Sequence, residues 1–354
     1  MTSITLHALQ AVPASLVNRD EVGATKTISY GGTTRVRVSS QSWKRAMRTD
    51  ARRRNTDLPW GTRTARLPQM TAERLPGERA DEAVWKTGRI LEQLGFKIGK
   101  DGRTAVLMFV NDNTPETLAR VVNQYWDQIS DTTVPDQAVA AARQAIDPGK
   151  AVDIALFGRF LAEIPDGRVD AAAHVAHAFS VDPARIMPDF FTAVDDQTPG
   201  DEPGVANLGD VDLSAPILYR TAAVDTGLLA HNLAGDQTLT RKALQVFVDT
   251  FTESFPSAKA GSTAAATLPS FVLGVAGQRE TSLADAFAQA IDDPDVMGAA
   301  TRRLLAWASM VASFGGEQKM VAMPITADLD LFGGVTVRSD VPSLVDCLVD
   351  GLLP

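Results

Sequence analysis

The sixteen residues TTRVRVSSQSWKRAMR, 33–48, decide how the chain reads. Residues 35–38 (RVRV) alternate apolar and charged side chains, the period of a strand with its valines inward and Arg35 and Arg37 outward. Ser39 and Ser40 then cap a helix expected over 39–54. Its inward stripe is Trp43, Ala46, Met47 and Asp50 or Ala51. Lys44, Arg48 and Arg52 fall at i, i+4 and i+8, so three cations share one outward stripe, with Gln41 and Arg45 on its flanks.

Such a stripe spans about 12 Å of helix, the reach of two or three successive phosphates. The backbone N–H groups and serine hydroxyls at the helix start face the same end and suit an anion. Taken alone, a basic helix face is more often simply solvated. Here it has company in Arg19, Lys26, the strand arginines and the run Arg52-Arg53-Arg54, which together favour nucleic acid. Nothing in the stripe reads base edges, so the sequence-independent backbone is the target. The chain has only three tyrosines, and no strand carries the paired aromatics of a base-stacking sheet. Any handling of bases falls to isolated rings such as Phe160, Phe190 or Phe191, acting as wedges.

The formal net charge of -9 seems to argue against this reading, but the charge is unevenly spread. Residues 1–66 hold 12 Lys or Arg and 4 Asp or Glu, which leaves 22 basic and 39 acidic residues for the rest. Phosphate binding depends on the local surface rather than the total. At 354 residues the chain suits one elaborated domain or two to three sub-domains. Residues 1–18 carry no Lys or Arg and do not read as a signal peptide. No run reaches the roughly 18 apolar residues of a membrane span, so the expected location is cytoplasmic. The single cysteine, Cys347, excludes an internal disulfide and a Cys-rich zinc site.

Along the chain, residues 3–10 alternate as a half-buried strand, and 13–34 read as loop with a Gly31-Gly32 turn. Helices are expected near 82–94, 116–129 and 136–146, with strands at 104–110 and 152–157. Asp170 is expected to cap an Ala-rich helix to about Phe179. Residues 186–219 contain no Lys or Arg, seven acidic residues and four prolines, and read as a long excursion from the core. Helical patterns follow at 240–255, 282–291 and 301–313, and short strands at 271–275 and 321–325. Strands and helices interleave without a Gly-rich phosphate fingerprint, so the expected class is α+β and not a doubly wound sheet.

His174 and His177, three apart on that expected helix, have Asp170 and Asp182 nearby. Without a cysteine cluster or a third histidine they read as packed or surface residues, and the Asp195-Asp196 pair as turn solvation. Neither metal nor other cofactor is expected. No Walker, Rossmann or nucleophile-elbow pattern is present.

The opening stretch also carries a resemblance. Asn18-Arg19-Asp20, Gly31-Gly32, residues 35–42 (RVRVSSQS) and 44–48 (KRAMR) closely resemble the backbone subunit of type I-E CRISPR Cascade complexes, the CasC family. The blocks VDIALFGR (152–159), HVAHAF (174–179), FFTAVDD (190–196) and YR (219–220) follow in family order.

The resemblance implies a modified RNA-recognition (ferredoxin-like) palm with a helical finger insertion and a protruding thumb loop. The palm would comprise 1–57, 151–185 and 220–354, the fingers 58–150 and the thumb 186–219. About six copies would stack head to tail along the spacer of the crRNA. They would kink it at intervals so that the exposed bases pair with target DNA, beside the large, small, crRNA-processing and 5'-handle-binding subunits. Arg19, Lys26, Ser39, Gln41, Lys44, Arg45 and Arg48 would then hold RNA phosphates and sugars. Arg66 stands where a family member has a histidine. Phe160 takes the position of a methionine wedge, and Phe191 and Thr192 would lie against the kinked nucleotide. On this reading the protein is a non-catalytic scaffold. The alternatives are a metal-dependent ribonuclease using His174, His177 and nearby aspartates, or a general single-strand binder.

Overall fold

The computed structural model describes residues 3–164, 167–194, 205–314, 318–324 and 335–349. Two compact units emerge. One is built from the chain up to Arg53, Ala173–Gly227 and everything from Arg241 on; the other from Arg54–Ala172 and Leu228–Thr240. The first begins with β1 (Ser3–Ala11), β2 (Thr27–Tyr30), β3 (Thr33–Val38) and α1 (Ser40–Arg54). The second contains β4 (Gly61–Thr64), α2 (Leu67–Ala72), α3 (Ala80–Gln93), β5 (Met108–Asn111), α4 (Thr114–Gln124), α5 (Asp136–Ala145) and α6 (Val152–Phe157). The first resumes with β6 (Ala173–Val175), β7 (Ala178–Ser180), β8 (Ile186–Val194), β9 (Val205–Ser214) and β10 (Ile217–Asp225). Most of α7 (Thr226–Asn232) and the start of α8 (Gln237–Glu253) return to the second unit. The first is completed by α9 (Ala260–Thr263), β11 (Phe271–Gly277), α10 (Val296–Ala312), β12 (Lys319–Pro324), β13 (Thr336–Val337) and α11 (Val341–Val349). The class is α+β, as expected. No helix among the described residues is long and apolar enough to cross a membrane.

The first unit is organised on a sheet in the order β13-β12-β11-β1-β10-β7-β3-β2, with β6 also paired to β10. Only β12 and β13 run parallel. The strand read as half-buried is central: β1 lies between β10 and β11, and Ser3–Gln10 are buried throughout. Alternation failed there because both faces are covered. One face packs Leu9, Tyr219, Phe271 and Leu273 against Phe287, Leu304 and Ala308. On another, Val38 and Leu218 pack with Trp43 of α1, and Phe255 lies against them.

Residues 13–34 are less loop-like than expected. Thr27–Tyr30 pair with Thr33–Val36 across the Gly31-Gly32 turn, where both glycines take positive φ. A Cβ on Gly31 would collide with the Ala288 carbonyl, so the turn needs glycine for room as well as for conformation.

Arg35 corrects the outward assignment. It is fully buried, and its guanidinium donates to the carbonyls of Ser180 (2.9 Å), Val181 (2.7 Å) and Phe287 (3.1 Å). It is a structural strut and lies away from solvent. Residues 170–179 are also corrected: the Ala-rich segment forms β6 and β7, which pair with β10 and, for β7, with β3. Tertiary ladder bonds override alanine's helix preference. The long excursion 186–219 holds an antiparallel ribbon, with β8 and β9 paired from Ile186↔Ser214 onward, and its last residues enter core strand β10. Of the helix expected over 282–291, only the 3₁₀ turn Ala284–Phe287 forms.

The second unit packs α2 to α5 around Leu91, Phe96, Met108, Leu118, Val122 and Ala142. Residues 152–157, read as a strand, form helix α6. Val152–Leu156 are all buried, and a continuous apolar run cannot by itself separate a buried strand from a buried helix turn. Gly158, at φ +78°, ends the helix; a Cβ there would lie 2.9 Å from the Val169 carbonyl oxygen. Arg159 is then buried, donating to the carbonyls of Gly167 (2.8 Å) and Ile146 (2.7 Å).

Candidate nucleic-acid interface

Helix α1 buries Trp43, Met47 and Ala51 at four-residue spacing, the geometry of one inward stripe. Lys44 and Arg48 are half-buried; Gln41, Arg45 and Arg52 are exposed. Asp50 is engaged by Arg53 at 2.5 Å and by the Ser254 hydroxyl at 3.0 Å. The helix has no acidic residue in its first turn.

The start of α1 is held by three uncharged acceptors. Ser39 Oγ accepts from the N–H of Ser42 at 3.3 Å, as a cap should. Asn18 Oδ1 accepts from the N–H of Ser39 at 2.8 Å. His177 Nδ1 accepts from the N–H of Ser40 at 3.2 Å and lies 3.1 Å from an Arg37 Nη1.

The loop carrying Arg19 and Lys26 is closed on itself and fastened to this junction. Asp20 Oδ1 accepts from Val22 and Ala24, and Arg19 bridges Thr25. The Lys26 N–H donates to Asn18 O at 2.9 Å, and the Arg37 N–H to Lys26 O at 2.8 Å. The expected residues Arg19, Lys26, Ser39, Gln41, Lys44, Arg45 and Arg48 therefore lie on one continuous construction: loop, strand end and helix. Arg37 joins it, and Arg35 does not.

The sequence reading missed Asn18 and His177 as parts of this site. They are 21 and 137 residues from the backbone groups they hold, and no local pattern could have shown it. Burial, with Arg37 and then Lys26 nearby, lowers the His177 pKa below its ordinary value. His174 instead pairs with Glu280 at 2.7 Å. His174 sits on β6 and His177 in the link between β6 and β7, and no group of three or more metal-ligating side chains is found among the described residues.

On the β8–β9 ribbon the Phe191 ring lies over Gly209, where a Cβ would come within 2.4 Å of it. Thr192 pairs with Leu208. Phe190 is largely exposed, and Asp189 and Asp210 are exposed beside it. Asp195 and Asp196 lie outside the described residues. At the base of the ribbon is a cleft of about 850 Å³ bordered by Asp182, Asp189, Asp292 and Asp293, with Arg185 as its one cation.

Arg66 and Phe160 belong to the second unit. Arg66 precedes α2 and pairs with Glu73 at 3.4 Å. Phe160 is 75% exposed, directly after the buried Arg159, so an apolar ring stands on a rigid footing.

Residues 4–346 match the Cas_CT1975 family model, CT1975-like protein. Among solved structures, a chain of a "CRISPR RNA-guided surveillance complex, pre-nicking" is 30% identical with a TM-score of 0.85, over 98% of this chain and 99% of that one. A chain of another "CRISPR RNA-guided surveillance complex" is 26% identical with a TM-score of 0.68, over 99% of this chain and 100% of that one. No curated protein sequence matches.

Proposed function

This chain belongs to the CT1975-like protein family, and from that premise we propose that it is a non-catalytic, RNA-binding backbone subunit of a Cascade-type CRISPR surveillance complex, of the type I-E CasC kind. Several copies line up head to tail along the crRNA spacer. Each grips the backbone through loop 18–26 and α1 and kinks it, leaving bases free to pair with target DNA. In this reading the sheet-bearing unit is an RNA-recognition-like palm, the β8–β9 ribbon is the thumb, and the helical second unit holds the fingers. Phe160 wedges at a kink, Phe191 and Thr192 contact a kinked nucleotide, and Arg66 is a further RNA-binding cation.

The observation that carries the proposal is the preorganised junction of Arg19, Lys26 and the α1 start, in which the helix start is held by the uncharged acceptors Asn18, Ser39 and His177. A surface whose caps add no negative charge keeps its field for a polyanion. Full-length likeness to chains of CRISPR RNA-guided surveillance complexes supports RNA as that polyanion. The test is purification with the proteins encoded beside it, followed by extraction, sizing and sequencing of bound nucleic acid. RNA of one defined length carrying repeat sequence is expected. Nucleic acid of random length would favour a general single-strand binder, and cleavage dependent on magnesium or manganese and lost in His177→Ala would favour a ribonuclease.

The acidic ribbon has a place in the same picture. Asp189 and Asp210, with the aspartates of the cleft at its base, complement the basic palm of a neighbouring copy, and such heterologous contacts build open filaments. Reversing both, Asp189→Lys with Asp210→Lys, should shorten the assemblies formed on RNA while leaving the thermal midpoint of the free protein nearly unchanged, as exposed substitutions usually do. Sedimentation showing full-length assemblies would remove the ribbon from this role.

A further inference from the structure

The N-terminus of a helix beside an arginine is where a carboxylate would be expected, because the helix dipole and the guanidinium both favour negative charge there. In this protein the position is filled by His177. Its Nδ1 faces two groups that can only donate, the Ser40 N–H at 3.2 Å and Arg37 Nη1 at 3.1 Å. The imidazole must therefore be neutral, with its proton on Nε2. The charged groups facing it are Arg37 on β3 and Lys26 on the loop before β2, and both oppose its protonation. Glu280 pairs with His174. Among the described residues, no acid is found acting on His177.

Consider the alternative. An aspartate at 177 would cap α1 at least as well and would pair with Arg37. It would also cancel one positive charge and set a carboxylate beside the groups that meet phosphate. A neutral acceptor orients the same donors without that loss. We propose that His177 is a positioning residue of the RNA-binding face. As an uncharged acceptor it fixes Arg37 and the first turn of α1 while leaving their positive potential available to the RNA backbone. The inference rests on the RNA-binding reading above. It adds that the start of α1 is held by neutral partners, with Asn18 and Ser39 the other two.

Three variants of the full-length protein test it, using a labelled single-stranded RNA and a salt titration. Asparagine places Oδ1 where Nδ1 stands, so His177→Asn should bind RNA within about threefold of wild type. His177→Ala, which loses one hydrogen-bond acceptor for two donors, should bind about tenfold more weakly. His177→Asp should keep or raise the thermal midpoint yet bind at least as weakly as the alanine variant. Its salt slope should be smaller by about 0.7, the value of one single-strand phosphate contact. The opposition of a stable fold and weak binding is what a purely structural role would not produce. Wild-type-like binding by His177→Asp would overturn the proposal. So would equal losses in the asparagine and alanine variants, which would make Nε2–H a direct RNA contact. Failure of the wild type to bind RNA at all would overturn the functional reading, and this inference with it.

Discussion

Trp43→Ala should destabilise the sheet-bearing unit by about 3–5 kcal/mol, the range for deleting a buried tryptophan, and should abolish RNA binding with it. Trp43 is the knob by which α1 sits on the sheet. It is buried, meets Phe255 edge-on at 5.9 Å between ring centroids, and carries the Arg220 guanidinium 3.7 Å from its own ring centroid. Among the described residues, no carboxylate pairs with Arg220. Its hydrogen bonds go to Gln10 and to the Phe251 carbonyl, and its second aromatic face is Phe251. Burial lowers its pKa to about 9, so at neutral pH it remains a buried cation that depends on those rings. A desolvated cation–π contact is worth about 2 kcal/mol or more. Alanine would remove it and leave a cavity beside the charge, which places the expected loss at the upper end of the range. Trp43→Phe, which keeps a ring over the guanidinium, should recover most of the stability. Chemical denaturation of the two variants decides the matter. A Trp43→Ala protein within about 1 kcal/mol of wild type would mean that α1 is held elsewhere.

The same contact shows what the sequence could reveal. Helix α1 was legible because its signals are local: serines at the start, apolar residues at four-residue spacing, and cations on the other side. The fate of a strand arginine is not local. RVRV reads as valine inward and arginine outward only if one face of β3 meets water. In the fold, carbonyls from residues 180, 181 and 287 close over Arg35, while Arg37, two residues on, reaches the helix start. Charge alone predicted a common fate for the two, and remote chain segments separated them. The Ala-rich segment around His174 and His177 misled for the same reason. Alanine permits either helix or strand, and the vacancy beside β10 decides for strand. That error hid the role of His177: read as a packed or surface residue of a helix, it lies between β6 and β7 and accepts from the Ser40 N–H at the start of α1. The ribbon of β8 and β9 went unseen because the acids, prolines and glycines of this part of the sequence imitate a loop. Its pairing shows only in register, as where Phe191 covers Gly209. The patch of cations and the Ser39 cap were therefore recoverable from sequence, but Asn18 and His177, the remote acceptors at the same helix start, were not.

The second large effect concerns those cations directly. Lys44→Ala combined with Arg48→Ala should weaken RNA binding about a hundredfold or more, since each charge-assisted contact is worth about 1.5–3 kcal/mol. It should also lower the salt slope by about 1.4, two single-strand contacts at about 0.7 each. Stability should change by no more than about 1 kcal/mol, because neither side chain belongs to the buried stripe of Trp43, Met47 and Ala51. Arg302→Ala is the matched control. It removes a cation of the same unit that sits on α10 and lies 3.8 Å from Asp295, so both affinity and slope should stay at wild-type values. The pairing of the two readouts separates the causes. A damaged fold lowers affinity and midpoint together, and loss of a non-ionic contact lowers affinity at constant slope. Only the removal of phosphate contacts lowers affinity and slope while the midpoint holds. If the double variant keeps the wild-type slope, α1 does not lie along the RNA backbone, and the cations of residues 33–48 serve the fold alone.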